Sequence, residues 1–226
     1  MNTLIVPGYH GSDKDHWQTW LEQQIPSAKR VSGIDWEQPI IHKWADAIVH
    51  ELNASIHKTV IVAHSFGCLA SAMAIAKRPE KVAGVILVAP ADPQRFSVFG
   101  ARQPDFTDLP SIAGHLPDHS LKTTGILIGS RDDPWMELQH AYAWSKRWDL
   151  IFHDAGNAGH INVESGFGPW PLIKLITDSL RINVEKKRSW HPAEVIAAHK
   201  SKSVVSPLLH LISHIFCMHK YQQYNH

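Results

Sequence analysis

The sequence predicts an α/β fold in which a mostly parallel, doubly wound sheet carries helices on both faces. Short runs of β-branched and aliphatic residues alternate with segments of helical periodicity, which is the pattern of such sheets. The run 82–89 is apolar at nearly every position and therefore indicates a strand covered on both faces. The 226 residues, 44% of them hydrophobic, are enough for one sizeable core.

The hydrophobic pattern also places the individual elements. The predicted strands are residues 3–6, 29–32, 58–63, 82–89, 124–128 and 150–153. The predicted helices are one capped by Asp13 or Asp15 and ended by Pro26, then 39–53, 66–78 and 135–147, and a last one opened by Pro169 or Pro171 that ends near 180. Residues 92–119 are polar, proline-rich and contain three phenylalanines, so they are predicted to form a small lid or substrate loop.

The C-terminal residues differ in composition from the rest. We expect one domain over 1–184 and an extension over 185–226. An apolar patch at 204–216 is too short to span a membrane and predicts an appended helix that packs on the body or forms a homodimer, with a flexible tail as the alternative. His210 and His214 have the i, i+4 spacing of metal ligands, but no third ligand is evident and no metal site is predicted.

Charge and cysteine content exclude several classes of function. A net charge of +1 without a basic stripe argues against a nucleic-acid partner. Two cysteines, Cys68 and Cys217, are too few for a disulfide framework and favour a reducing, cytoplasmic location. The first residues lack a basic segment followed by a long apolar one, so no signal peptide is expected.

The strongest local motif surrounds Ser65. An apolar strand ends at Ala63, and Gly67 opens an alanine-rich helix, so the serine lies at a tight strand-to-helix turn. This is the arrangement of a nucleophile elbow, with Ala63 in place of the usual first glycine. The alternative is that Ser65 only caps the helix.

An acid and a base follow other predicted strands in the order that suits such a nucleophile. Asp132 and Asp133 come after the strand 124–128, and His160 comes after the strand 150–153. Because the carboxyl ends of parallel strands share one edge of the sheet, these side chains are expected to meet Ser65 there. Histidine can accept the serine proton, and a carboxylate can orient the imidazole. Either aspartate could instead cap the helix near Trp135.

The neighbouring groups have expected roles as well. The backbone N–H groups of Phe66 and, from the loop after the first strand, Tyr9 are the predicted oxyanion hole. Strand geometry turns the side chain of His64 away from Ser65, so His64 is interpreted as a structural residue or a pocket wall.

An ordered set of motifs over residues 2–180 resembles a known family. The matching segments are Val6-Pro7-Gly8, His16-Trp17-Gln18 with Trp20, Asp35-Trp36 with Pro39 and Trp44, Ala63-His64-Ser65-Phe66-Gly67, Val88-Ala89-Pro90-Ala91-Asp92-Pro93, Gly129-Ser130-Arg131-Asp132-Asp133-Pro134 and Gly159-His160. They resemble the serine hydrolases of the retinoblastoma-binding protein 9/YdeN type, within the α/β-hydrolase superfamily. The Leu-x-Cys-x-Glu motif associated with pocket-protein binding is absent.

The resemblance implies a three-layer α/β-hydrolase fold with a minimal cap and no cofactor. It assigns the nucleophile to Ser65, the base to His160 and the acid to Asp133. The expected activity is hydrolysis of a small-molecule ester or amide through an acyl-enzyme. The alternative is a non-catalytic binding or scaffold protein on a hydrolase fold, with the phenylalanine-rich segment 92–119 closing the site.

Overall fold

The computed structural model describes residues 1–102 and 109–201. The chain divides into two compact units, Met1–Trp190 and His191–His226. The strands of the first unit are β1 (Asn2–Val6), β2 (Ala28–Arg30), β3 (Thr59–His64), β4 (Val82–Val88), β5 (Phe96–Ser97), β6 (Gly100–Ala101), β7 (Thr124–Gly129) and β8 (Ile151–Asp154). Its helices are α1 (Trp17–Gln24), α2 (Ile41–Ala54), α3 (Phe66–Lys77), α4 (Leu138–Trp148) and α5 (Pro171–Glu185), and short 3-10 turns lie at Pro79–Lys81, Pro93–Arg95 and Ile112–His115.

The main sheet confirms the predicted fold class. Its strand order is β2-β1-β3-β4-β7-β8, and every neighbouring pair is parallel. The order reverses beside β1, because the chain runs from β1 to one edge and then crosses back to β3. In such sheets the loops after the two strands at the reversal separate and leave a crevice. The loops after β1 and β3 therefore border the natural site for a ligand.

The core explains why the central strands have continuous apolar sequences. Helix α3 is buried from Phe66 to Ile75, since it packs between the sheet and α2. The strand β3 is buried at all its positions. Burial on both faces removes the alternation that a half-exposed strand would show.

Three helix starts differ from the sequence prediction, and the smallest difference is at α2, which begins at Ile41 rather than at Pro39. The N-cap of α1 is His16, whose Nδ1 accepts the N–H of Gln18 at 3.1 Å, so the prediction of Asp13 or Asp15 was wrong. Helix α4 begins at Leu138 rather than near Trp135. The carboxylate of Asp133 accepts the N–H of Trp135 at 2.8 Å, in the turn that precedes the helix, while the N-cap of α4 is Glu137.

The segment predicted as a lid contains a two-stranded antiparallel hairpin of β5 and β6. Phe96 of this hairpin is buried, whereas Phe99 at its turn is 74% exposed. The third phenylalanine, Phe106, lies in 103–108, outside the described residues.

The first unit extends beyond the predicted domain boundary at residue 184. Helix α5 continues to Glu185, and the indole N–H of Trp190 donates to Ser179 Oγ at 3.2 Å, which ties the following turn to this unit. In the second unit, residues 192–201 are helical. The patch at 204–216, His210, His214, Cys217 and the proposed dimer contact lie outside the described residues. No helix within 1–102 and 109–201 is both long and apolar enough to cross a membrane.

Candidate active site

Ser65 lies at the sharp turn between β3 and α3. Its backbone has φ 53° and ψ −127°, which costs free energy for a residue with a side chain. The strained conformation persists because both flanking elements are buried and the Ser65 N–H donates to the Val88 carbonyl at 3.1 Å. The turn presents the hydroxyl at the carboxyl edge of the sheet, as in a nucleophile elbow.

Two glycines let backbone segments approach this turn closely. A Cβ atom on Gly67 would overlap the carbonyl oxygens of Val6 and Pro7 at the end of β1. A Cβ atom on Gly8 would lie 2.6 Å from the Cβ of Ser65 itself. The elbow motif predicts Gly67, whereas Gly8 is noted from the sequence only as part of the segment Val6-Pro7-Gly8 that matches the family. The parallel pairing of β1 with β3 is the signal that could have revealed the close approach of Gly8 to Ser65.

The structure brings Ser65, His160 and Asp133 together. The Nε2 of His160 lies 2.9 Å from Ser65 Oγ, and its Nδ1 lies 2.9 Å and 3.0 Å from the two carboxylate oxygens of Asp133. A carboxylate can only accept hydrogen bonds, so the proton of the neutral imidazole is on Nδ1. Nε2 then accepts the hydrogen bond of the serine O–H. The Asp133 side chain is only 2% exposed, which protects this contact from water.

Asp132 has different partners from its neighbour. Its Oδ1 accepts the hydroxyl of Ser130 and the N–H of Gly159, both at 2.8 Å. These hydrogen bonds lower the pKa of the Asp132 carboxyl. Asp132 therefore anchors the backbone beside His160, whereas Asp133 contacts the imidazole.

The loop over residues 155–165, which we call the histidine loop, is held by side chains from several elements. Ser165 Oγ accepts the His160 N–H at 3.1 Å, and His64 Nε2 donates to the His160 carbonyl at 2.9 Å. The indole of Trp17 donates to the Ile161 carbonyl at 2.8 Å. None of these anchors was predicted individually, because each joins residues that carry no local motif.

Three imidazoles lie in a row beside the nucleophile. The ring of His64 is 4.9 Å from that of His160 and 5.0 Å from that of His16, measured between centroids. Burial, with smaller effects of the other two histidines, holds the pKa of His64 well below its usual value. His64 is thus a neutral residue that lines the pocket wall and positions the histidine loop.

A cavity of about 340 Å³ opens onto Ser65. The ring of Trp135 lies 5.8 Å from that of His160 and shields one side of the imidazole. The residues lining the cavity come from the ends of several strands and from the β5–β6 hairpin: Tyr9, His10, Gly11, Asp13, His16, His64, Ser65, Phe96, Trp135, His160, Asn162, Val163 and Glu164. Within the described residues, no group of three or more histidine, cysteine or acidic side chains is arranged to hold a metal ion.

The two backbone N–H groups predicted to form the oxyanion hole differ from those of neighbouring residues in their hydrogen bonding. In the loop after β1, the N–H of His10 donates to Trp36 and that of Gly11 to Gly8, both at 2.9 Å. The N–H groups of Tyr9 and Phe66 have no hydrogen-bond partner in the part of the chain that the structure describes. Both N–H groups can therefore donate a hydrogen bond to an oxygen atom of a ligand.

The fold is that of an α/β-hydrolase, and the chain belongs to the serine hydrolase family, whose model matches residues 3–178. The chain is 24% identical over 180 residues to YdeN of Bacillus subtilis (strain 168), with 75% of this chain and 90% of that protein covered. A solved YdeN-like structure from Pectobacterium atrosepticum is 32% identical, with a TM-score of 0.66 over 81% of this chain and 89% of that chain. The solved structure of B. subtilis YdeN is 21% identical, with a TM-score of 0.59 over 79% of this chain and 97% of that chain.

The comparisons confirm the resemblance to the YdeN-like serine hydrolases. They also support hydrolysis as the general activity of this chain.

Proposed function

We propose that the protein hydrolyses small carboxylic esters through an acyl-enzyme, with Ser65 as nucleophile, His160 as base and Asp133 as acid. The observation that carries this proposal is the continuous hydrogen-bonded chain from the Ser65 hydroxyl through the imidazole to the buried carboxylate. A serine hydroxyl is a weak nucleophile near neutral pH and needs such a base in contact.

The reaction consists of two acyl transfers. His160 Nε2 takes the proton of Ser65 Oγ as that oxygen attacks the ester carbonyl carbon. The negative charge on the carbonyl oxygen is stabilised by the N–H groups of Tyr9 and Phe66. Collapse of this intermediate breaks the bond to the alcohol, which leaves with the proton from His160. A water molecule, deprotonated by His160, then attacks the acyl-enzyme, so that the acid is released and Ser65 regains its proton.

The cavity supports catalysis over a scaffold role. About 340 Å³ of space reaches the Ser65 hydroxyl, and Phe96 lines this space rather than filling it. The volume suits a small ligand. We therefore expect short acyl chains to be preferred over long ones, and esters over less reactive amides.

A fluorophosphonate probe and a series of p-nitrophenyl esters from acetate to octanoate test the proposal. We expect the probe to label Ser65 in the wild type and the shorter esters to be hydrolysed fastest. The Ser65→Ala variant should lose both labelling and at least about 10³-fold in kcat. The Ser71→Ala variant, which changes a buried serine of α3, is the matched control. Labelling that persists after Ser65→Ala would refute this site.

A further inference from the structure

His16 presents an unused hydrogen-bond donor to the cavity. The residue is only 5% exposed and lines the cavity beside Ser65. Its Nδ1 accepts the N–H of Gln18 at 3.1 Å, as the N-cap of α1. In a neutral imidazole the proton must then be on Nε2.

The ring is neutral under ordinary conditions. Burial lowers the pKa of His16 to about 4, although Asp13 opposes this shift. The Nε2–H therefore remains a donor at neutral pH. It has no hydrogen-bond partner among the described residues. The Nε2 atom is not one of the fully buried unpaired atoms of the described residues, and it is accessible from the cavity. A ligand that fills the cavity without supplying an acceptor would leave this donor buried and unpaired, which costs free energy.

The position of His16 suits recognition rather than proton transfer. The ring of His64 contacts the rings of both His16 and His160, so one imidazole intervenes between His16 and the proposed base. His64 cannot relay a proton readily, because its Nε2–H is bonded to the His160 carbonyl. We therefore expect a substrate held at Ser65 to meet the His16 N–H away from its scissile bond.

The charge of the lining indicates which kind of acceptor fits. Asp13 and Glu164 are exposed at the rim, and no lysine or arginine lines the cavity among the described residues. A carboxylate or phosphate on the substrate would be repelled there. Phe96 and Trp135 provide apolar surface for the remaining part of a small molecule. The acceptor is thus expected to be an uncharged oxygen.

We propose that His16 is a specificity-determining residue whose Nε2–H donates to an uncharged ether, hydroxyl or carbonyl oxygen of the substrate outside the scissile ester. The inference rests on the proposed function and narrows it to small esters that carry a second, neutral oxygen. A site built to donate a hydrogen bond discriminates against analogues that lack the acceptor, because the donor is then left unpaired.

Two pairs of isosteric esters test this preference. p-Nitrophenyl 3-methoxypropanoate and p-nitrophenyl pentanoate differ by one ether oxygen in the acyl part. 2-Methoxyethyl acetate and butyl acetate differ in the same way in the alcohol part. We expect the wild type to favour the oxygen-containing member of at least one pair by about tenfold in kcat/KM. The pair that shows the preference identifies the side of the ester that faces His16.

Two substitutions separate recognition from helix capping. His16→Asn keeps an oxygen that can accept the Gln18 N–H but lacks a donor at the position of Nε2. His16→Gln loses the cap but keeps an amide N–H near that position. We expect the preference for the ether to vanish in the asparagine variant and to be retained in the glutamine variant. Thermal unfolding and fluorophosphonate labelling of Ser65 show whether each variant is folded and has an intact site.

Equal rates within both pairs for the wild type would overturn the inference, while labelling of Ser65 and ester hydrolysis would leave the proposed function intact. A preference kept by the asparagine variant and lost by the glutamine variant would also overturn it, because His16 would then act only as a cap. If the wild type is neither labelled at Ser65 nor active on any ester, the proposed function itself fails.

Discussion

The nucleophile elbow and the histidine loop differ in what holds them. At the elbow, buried backbone segments pass so closely that only glycine fits at Gly8 and Gly67. The histidine loop is instead fixed by side-chain hydrogen bonds from Asp132, Ser165 and His64. Steric exclusion leaves a motif in the local sequence, whereas long-range hydrogen bonds do not. The elbow is accordingly the region whose geometry was easiest to predict.

The comparison predicts different responses to substitution. Changes at the elbow should act mainly on folding, because its positions are set by packing. Changes around the histidine loop should act mainly on turnover, because they alter the orientation of one imidazole.

The largest effect is expected at the acid that contacts His160. Asp133→Asn replaces one carboxylate oxygen, which only accepts hydrogen bonds, with an NH2 group that donates them. The NH2 group favours the tautomer of His160 with the proton on Nε2, so kcat should fall by about 10⁴-fold. Thermal unfolding should change little. Steady-state kinetics on p-nitrophenyl acetate, with Asp132→Asn as the control, measure the difference. A greater loss in the Asp132 variant would reassign the acid.

The next largest effect is expected at the elbow itself. In Gly67→Ala the added methyl group would overlap two backbone carbonyl oxygens, so the free energy of unfolding should fall by about 3 kcal/mol. Gly114→Ala is the matched control, since no atom lies within 4 Å of the added Cβ and its φ is not positive. Urea denaturation should leave this control within about 0.5 kcal/mol of the wild type. Equal destabilisation of both variants would contradict the packing argument.

The row of imidazoles joins the two regions and should make stability depend on pH. The pKa of His16 is about 4 in the folded protein and about 6.5 when unfolded, so the unfolded state binds more protons between these values. The contribution of His16 to the free energy of unfolding is therefore complete above pH 6.5 and decreases as the pH falls towards 4. His16 alone should account for a loss of about 2 to 3 kcal/mol at pH 4.5.

Urea denaturation at pH 7 and pH 4.5 measures this dependence. His16→Asn does not titrate and should show a smaller decrease, with the remainder coming from His64, whose pKa is also lowered. Identical decreases in the wild type and the variant would show that His16 is not protonated on unfolding in this range.

The smallest effect is expected at the anchor of the histidine loop. Asp132→Ala removes the acceptor for Ser130 and for the Gly159 N–H, so kcat should fall about tenfold as the loop becomes less well ordered. Asp132→Asn keeps one oxygen acceptor and should remain close to the wild type. Amide hydrogen exchange over residues 155–165 should increase only in the alanine variant. Unchanged exchange in both variants would exclude an anchoring role.

Sequence reasoning identified Ser65, the aspartate pair and His160, and the structure brings Ser65, Asp133 and His160 within hydrogen-bond distance. The residues alone left Asp132 and Asp133 as equal candidates, and the resemblance to a family was needed to favour Asp133. The predicted N-cap of α1 was wrong, since His16 takes this position. The local sequence cannot show that an imidazole nitrogen faces the Gln18 N–H.

The sequence by itself determined the order of the helices and of the six strands of the main sheet, because burial on one or both faces is recorded in the local hydrophobic pattern. It also determined that Ser65 and His160 share one edge of the sheet, since both follow parallel strands. Only the tertiary structure decided which aspartate meets the imidazole, what anchors the histidine loop and which nitrogen of His16 faces the cavity. These depend on hydrogen bonds between residues as distant along the chain as Trp17 and Ile161, and such contacts exist only once the sheet has assembled.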